Sequence, residues 1–182
     1  MIEFDKVTTR GGDRGESSLY NGERRRKDDP LFEAMGDVDE LSSQLGVVRA
    51  TAGNGALSGE VEGIQATLLQ IGAQIATPKG DPLYATLRFV TDEELVALEK
   101  IEKEYLARTS IGDKFVLSGQ SLLSAQIDVA RAVCRRAERR VVSCIRNAGM
   151  IELAPAQRYL NRLSDFLFIV ARHFEQAPEQ AR

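Results

Sequence analysis

Two stretches of this 182-residue chain carry side chains whose types and spacing could do chemistry. The first is Thr9-Arg-Gly-Gly-Asp-Arg-Gly15, followed by Gly22-Glu-Arg-Arg-Arg-Lys-Asp28. Glycine lets backbone amides come close to an anion, and Thr, Arg and Lys side chains add donors, so this segment is suited to cradling phosphate. It is not a Walker loop, because no strand is expected before it and no glycine-lysine-serine ending follows. The second stretch is Arg131-Ala-Val-Cys-Arg-Arg-Ala-Glu-Arg-Arg140. Here Arg131, Arg135, Arg136, Arg139 and Arg140 are opposed only by Glu138. A solvated charged face is the plain reading of such a run, but its mutual repulsion is relieved if an anion, or an acidic group such as Asp39 from another helix, completes the cluster.

These residues need elements to position them, and helical periodicity supplies the elements from residue 30 onward. A first helix is expected from Pro30 to Thr51, with Val38, Leu41, Leu45 and Val48 three and four apart, ended by Ala52-Gly-Asn-Gly. A second is expected from Ser58, near a capping box with Glu62, to Pro78, and a third is opened by the capping box Thr91-Asp-Glu-Glu. The arginine run lies in the fourth, Gln120 to Asn147, whose seam is Leu123, Ile127, Ala130, Cys134, Ala137, Val141 and Cys144. The fifth spans Ala154 to Gln176 with Leu160, Leu163, Leu167, Val170 and Phe174. One residue beyond the seam, the fourth helix places Arg131, Arg135 and Glu138 within about 60° of arc. The same offset gives Asp39 and Ser42 in the first helix and Asn161 and Ser164 in the fifth. Polar groups at such half-buried boundaries need a partner or a ligand.

The expected fold is all-α, a single-domain five-helix bundle with ferritin-like up-and-down packing over residues 30–177. A glycine-rich loop segment, 1–29, precedes it, and a short tail, 178–182, follows. Its length suits one domain, and hydrophobic residues at 43% suffice for a core. A formal net charge of −3 points to neither nucleic acid nor an anionic membrane surface. With no secretory pattern at Met1 and no apolar run of spanning length, a cytoplasmic protein is expected. Cys134 and Cys144 lie ten residues apart on one helix, roughly 15 Å along its axis, so they read as apolar core residues of a reducing compartment. His173 reads as a partly exposed residue whose charged form the helix C-terminus favours, and Tyr159 and Phe166 read as packing residues.

Taken in order, Thr9–Gly15, Gly22-Glu-Arg, Lys27-Asp-Asp-Pro-Leu-Phe-Glu-Ala-Met-Gly36, Val38-Asp-Glu-Leu41, Phe115-Val-Leu, Arg131–Val141 and Tyr159-Leu-Asn-Arg-Leu-Ser-Asp165 resemble the PduO-type ATP:corrinoid adenosyltransferases. The resemblance runs through most of the chain. This chain differs in having Gly11 where that family commonly has threonine, Ser42 where asparagine is usual, and Ser118-Gly119-Gln120 in place of a proline and two glycines.

The resemblance implies transfer of the 5′-deoxyadenosyl group of ATP to the cobalt of cob(I)alamin, giving adenosylcobalamin and triphosphate. The alternative is a non-catalytic carrier of ATP or adenosylcobalamin that delivers cofactor to a dependent mutase. It further implies a homotrimer with its sites at subunit junctions. Thr9, Arg10, Gly12, Asp13, Gly15 and Lys27 would line ATP with Arg135, Glu138 and Asn161. Arg131 would pair with Asp39 of a neighbouring subunit, on the corrinoid side with Phe115. The catalytic set is thus Arg135, Glu138, Asn161, Arg131 and Asp39. The protein alone would hold no metal; Mg2+ would ride on the ATP phosphates, with Glu138 as a further ligand. A cob(II)alamin reductase and an adenosylcobalamin-dependent enzyme are the implied partners.

Overall fold

The computed structural model of the protein describes residues 3–77, 79–112 and 115–175. A single helical turn, α1 (Phe4–Val7), and a hairpin of β1 (Glu16–Ser18) and β2 (Arg24–Arg26) precede five long helices. These are α2 (Pro30–Ala52), α3 (Ala56–Ala76), α4 (Asp92–Leu106), α5 (Leu122–Asn147) and α6 (Ala154–Glu175). The expected all-α bundle is therefore present. The end of its fifth helix at Gln176, the tail 178–182 and the stop at Pro78 lie outside the described residues.

Local chemistry sets most helix ends. Asp29 caps α2 by accepting from the Leu31 amide at 2.9 Å, and Pro30 costs nothing at a position whose N–H has no helical partner. Gly53, at φ 68°, then turns the chain out. In α4 the Thr91 amide donates to Glu94 Oε2 at 2.8 Å, and the Glu93 amide donates back to Thr91 Oγ1, so the expected capping box forms. Ser121 and Ser124 make the same reciprocal arrangement at the start of α5. The expected start of α3 at Ser58 is corrected: the helix begins at Ala56, and its cap is Gly55, which contributes no side-chain bond.

Helix α2 packs on α3 and α5, α5 packs on α6, and α6 packs on α4. Their facing seams bury Leu41 and Leu45, Leu68 and Ile71, Ile127, and Leu160, Leu163 and Phe166. Cys134 and Cys144 are both free and buried, and burial pushes the Cys144 thiol up to about 11 and the Cys134 thiol higher still. Neither is a thiolate nucleophile at neutral pH. Tyr159 and Phe166 are core residues as expected. Among the described residues no helix is long and apolar enough to cross a membrane.

Within the glycine-rich segment expected as a loop lies a short hairpin. Glu16 to Ser18 pair antiparallel with Arg26 to Arg24, and between them Leu19 is buried while the Tyr20 amide donates to the Ala76 carbonyl at 3.1 Å. Both strands are largely solvent-facing polar runs, so no apolar alternation announced them.

His173 is partly exposed as expected, but its charged form is not the favoured one. Its Nδ1 lies 3.1 Å from Thr109 Oγ1, whose own hydrogen goes to the Tyr105 carbonyl, so the ring donates here. Burial, and then the Arg108 charge, lower its pKa below 6.5, outweighing the helix dipole. The unfolded chain therefore takes up the proton first as pH falls, so the stability present above pH 6.5 is lost below it. The thermal midpoint is expected to fall between pH 7 and pH 5 more in wild type than in His173→Gln, as measured by calorimetry; parallel profiles would contradict this assignment.

Candidate functional site

The arginine face of α5 looks onto α2, and α2 answers it with acids at helical spacing. Arg136 Nε lies 3.0 Å from Asp37 Oδ1, and its Nη2 pairs with Glu40. Arg140 Nη2 lies 2.8 Å from Glu33 Oε2, and its Nε is 3.6 Å from the other Asp37 oxygen. Arg139 turns back to donate to the Arg135 carbonyl at 3.0 Å. An acidic helix does complete the cluster, but through Glu33, Asp37 and Glu40. Asp39 is exposed and has no partner among the described residues. The Arg135 guanidinium is exposed and likewise has no hydrogen bond or ion pair among them.

One turn on from Arg135, Glu138 Oε1 accepts from Asn161 Nδ2 at 3.1 Å and from Gln157 Nε2 at 3.2 Å. The structure thus joins Glu138 and Asn161 across α5 and α6, and adds Gln157. Ser164 is buried and donates to the Asn161 carbonyl, so it supports α6 rather than facing a ligand. Glu138 Oε2 carries no hydrogen bond among the described residues, which leaves one hard oxygen for a cation. Among those residues no group of three or more His, Cys, Asp or Glu side chains is placed to hold a metal ion by itself.

The glycine-rich segment is folded over its own hairpin. Arg10 takes φ 55°, and the Asp13 and Gly15 amides donate to the carbonyls of Arg10 and Gly12. Arg24 Nη2 donates to the Gly11 carbonyl at 2.7 Å, and the Lys27 amide donates to Gly15 at 2.8 Å. A Cβ at Gly12 would stand 2.8 Å from Lys27 Nζ, so the ammonium lies directly over the glycine. Gly12, Gly15 and Lys27 are thereby gathered, the Gly11 amide donates to Thr9 Oγ1 at 3.5 Å, and Thr9, Arg10, Asp13, Gly15 and Lys27 are all exposed. No hydrogen bond or ion pair among the described residues joins this loop to Arg135, Glu138 or Asn161.

Phe115 is fully exposed at the rim of a cavity of about 430 Å³ that Arg131, Asp128, Phe168 and Arg172 also line. Arg131 and Phe115 are brought together as expected; Asp39 is not among the lining residues. Sequence reasoning missed Gln157, Asp128 and Arg172. Asp128 stands one residue beyond Ile127, the very offset that singled out Arg131, so the signal existed. Arg172 carries no such mark: burial works against its charge, and hydrogen bonds to Glu175 and Asp128 more than offset that, raising its pKa.

Fold and site together define a helical bundle with an open guanidinium, Arg135, beside a carboxylate–amide pair, Glu138 and Asn161. A family model described as Cobalamin adenosyltransferase matches residues 7–174. The human corrinoid adenosyltransferase MMAB is 39% identical over 172 residues, covering 92% of this chain and 68% of its own. A corrinoid adenosyltransferase of Citrobacter freundii is 38% identical over 174 residues, covering 96% and 97%. Among solved structures, a phenylalanine-to-alanine variant of the PduO-type ATP:corrinoid adenosyltransferase from Lactobacillus reuteri, complexed with cobalamin and ATP, superposes with a TM-score of 0.82 at 31% identity, covering 93% of each chain. The chain belongs to the cobalamin adenosyltransferase family.

The ion-pair pattern makes opposite forecasts for two charged residues. Asp37→Ala removes the carboxylate shared by Arg136 and Arg140, which keep only Glu40 and Glu33, and is expected to cost about 1 kcal/mol in urea unfolding. Arg135→Ala removes no partner and should change stability by less than about 0.5 kcal/mol. The reverse order would mean that Arg135 is a structural residue.

Proposed function

We propose that this chain transfers the 5′-deoxyadenosyl group of ATP to cob(I)alamin at a site in which Arg135 grips the departing triphosphate. In this reaction the reduced cobalt supplies an electron pair to C5′ of ATP, the C5′–O bond breaks, and triphosphate leaves with its electrons. The nucleophile belongs to the corrinoid, so the protein needs no catalytic His or thiolate. Its work is to align the two substrates and to stabilise charge on the leaving group.

The observation that carries the assignment is the unpaired state of Arg135 in a run, Arg131 to Arg140, whose other arginines find acids or carbonyls. A planar, permanently charged fork left open on an exposed helix face is suited to phosphate oxygens. Glu138 and Asn161 stand one turn away. The loop of Thr9, Arg10, Gly12, Asp13 and Gly15, with Lys27 above Gly12, would close on the nucleotide from the other side. Mg2+ carried by the phosphates fits the open Oε2 of Glu138, where it would spread the charge of the triphosphate.

Neither the loop nor Asp39 reaches the Arg135 face within one chain. A homotrimer in which a neighbour supplies the missing half, with Asp39 of one subunit pairing Arg131 of the next, accounts for both. Phe115, exposed beside Arg131, would sit under the corrinoid and exclude its lower axial ligand. A cob(II)alamin reductase upstream and an adenosylcobalamin-dependent enzyme downstream complete the setting. Two free thiols suit the reducing cytoplasm to which we assign it.

Anaerobic incubation with ATP, magnesium and chemically reduced cobalamin should yield the adenosylcobalamin spectrum with stoichiometric triphosphate; binding of both without triphosphate would mark a carrier. Arg135→Ala should lose at least about 10²-fold in turnover, and a near-wild-type rate would remove Arg135 from the site. In Phe115→Ala the spectrum of bound cob(II)alamin should lose its four-coordinate signature. An unchanged signature would take Phe115 out of the reaction.

A further inference from the structure

We propose that Asp128 is a positioning residue that grips Arg131 by one edge of its guanidinium and leaves the opposite edge free for the site. Asp128 lies on α5 one turn before Arg131 and is 6% exposed. Its Oδ2 accepts from Arg172 Nη2 at 2.5 Å, and Arg172, 5% exposed, is chelated by Glu175 through Nε at 2.7 Å and Nη2 at 2.8 Å. Phe168 covers the Arg172 guanidinium, whose centre is 5.2 Å from the ring centroid.

Charge balance then decides what Arg131 is for. Two buried carboxylates face one buried guanidinium, so the cluster Asp128–Arg172–Glu175 carries one uncompensated negative charge. Such a charge away from water demands a partner. The cation that stands there is Arg131, with Nε 3.5 Å from Asp128 Oδ1. Both atoms are buried and neither has a hydrogen bond, so the contact is an electrostatic hold rather than a closed pair.

The hold is also directional. It takes Nε, on one edge of the planar fork, while the Nη groups find no partner among the described residues. Arg131 and Asp128 both line the cavity rimmed by Phe115. An arginine can be gripped on one edge and present the other; a lysine ammonium, being a single point, cannot do both. The last turn of α6 thus acts on Arg131 through Arg172 and Asp128.

This inference rests on the adenosyltransferase reading, and the experiment separates the two. Anaerobic steady-state kinetics would compare wild type, Asp128→Asn, Arg131→Ala, Arg131→Lys and the Asp128→Asn/Arg131→Ala double variant, varying cob(I)alamin and ATP independently. Asp128→Asn should raise KM for cob(I)alamin about tenfold while leaving KM for ATP within about twofold, a split that general loosening of the bundle would not produce. In the Arg131→Ala background it should add nothing, because the residue through which it acts is gone. Arg131→Lys should fall to within about threefold of Arg131→Ala.

A silent Asp128→Asn, losses that multiply in the double variant, or an active Arg131→Lys would each overturn the inference while leaving the reaction assigned. If Asp128→Asn fails to fold, the comparison of lysine with alanine at the partly exposed position 131 decides the matter alone. Wild-type protein that makes no adenosylcobalamin would overturn the reading and the inference with it.

Discussion

Five arginines in ten residues of one helix are tolerable only where other groups take up their charge, and how that happens in α5 organises this protein. Glu33, Asp37 and Glu40 recur on one face of α2 and meet Arg136 and Arg140, so the α2–α5 contact is electrostatic at its edge as well as apolar in its seam. Arg139 spends a donor on a carbonyl of its own helix. Arg131 is held from below by a buried acid. What remains is a single open guanidinium, Arg135, displayed beside a carboxylate whose orientation two amides fix. Selectivity among like charges is thus set by their neighbours.

Much of the bundle was legible because its signals are local. The seams of three- and four-residue steps gave all five helices, and the capping box at Thr91 and the proline at residue 30 gave boundaries that hydrogen bonds bear out. The start of α3 was misplaced because Gly55 caps with backbone alone, which has no side-chain signature. The hairpin escaped for a related reason. Its strands Glu16-Ser-Ser and Arg24-Arg-Arg bury almost nothing, and what ties the hairpin to the bundle is the burial of Leu19 and the bond of the Tyr20 amide to the Ala76 carbonyl at the end of α3, a contact distant in sequence.

The site was legible as a face rather than as a set of partners. An offset of one residue from the seam places Arg131, Arg135, Glu138 and Asn161 at helix boundaries, and the pairing of Glu138 with Asn161 follows from that geometry. Which arginine stays open depends on acids from α2, about 100 residues earlier in the chain. Periodicity carries no information about that. Arg172 was unreadable for another reason: a basic residue in a last helical turn ordinarily complements the helix dipole in solvent, and only tertiary packing reveals it as buried.

The central claim is spatial, and a crystal structure grown with ATP and magnesium tests it most directly. The account predicts triphosphate oxygens within hydrogen-bond distance of the Arg135 guanidinium, with the loop from Thr9 to Gly15 and Lys27 closed over the nucleotide from an adjoining subunit. A triphosphate bound elsewhere, with Arg135 still in bulk solvent, would contradict it.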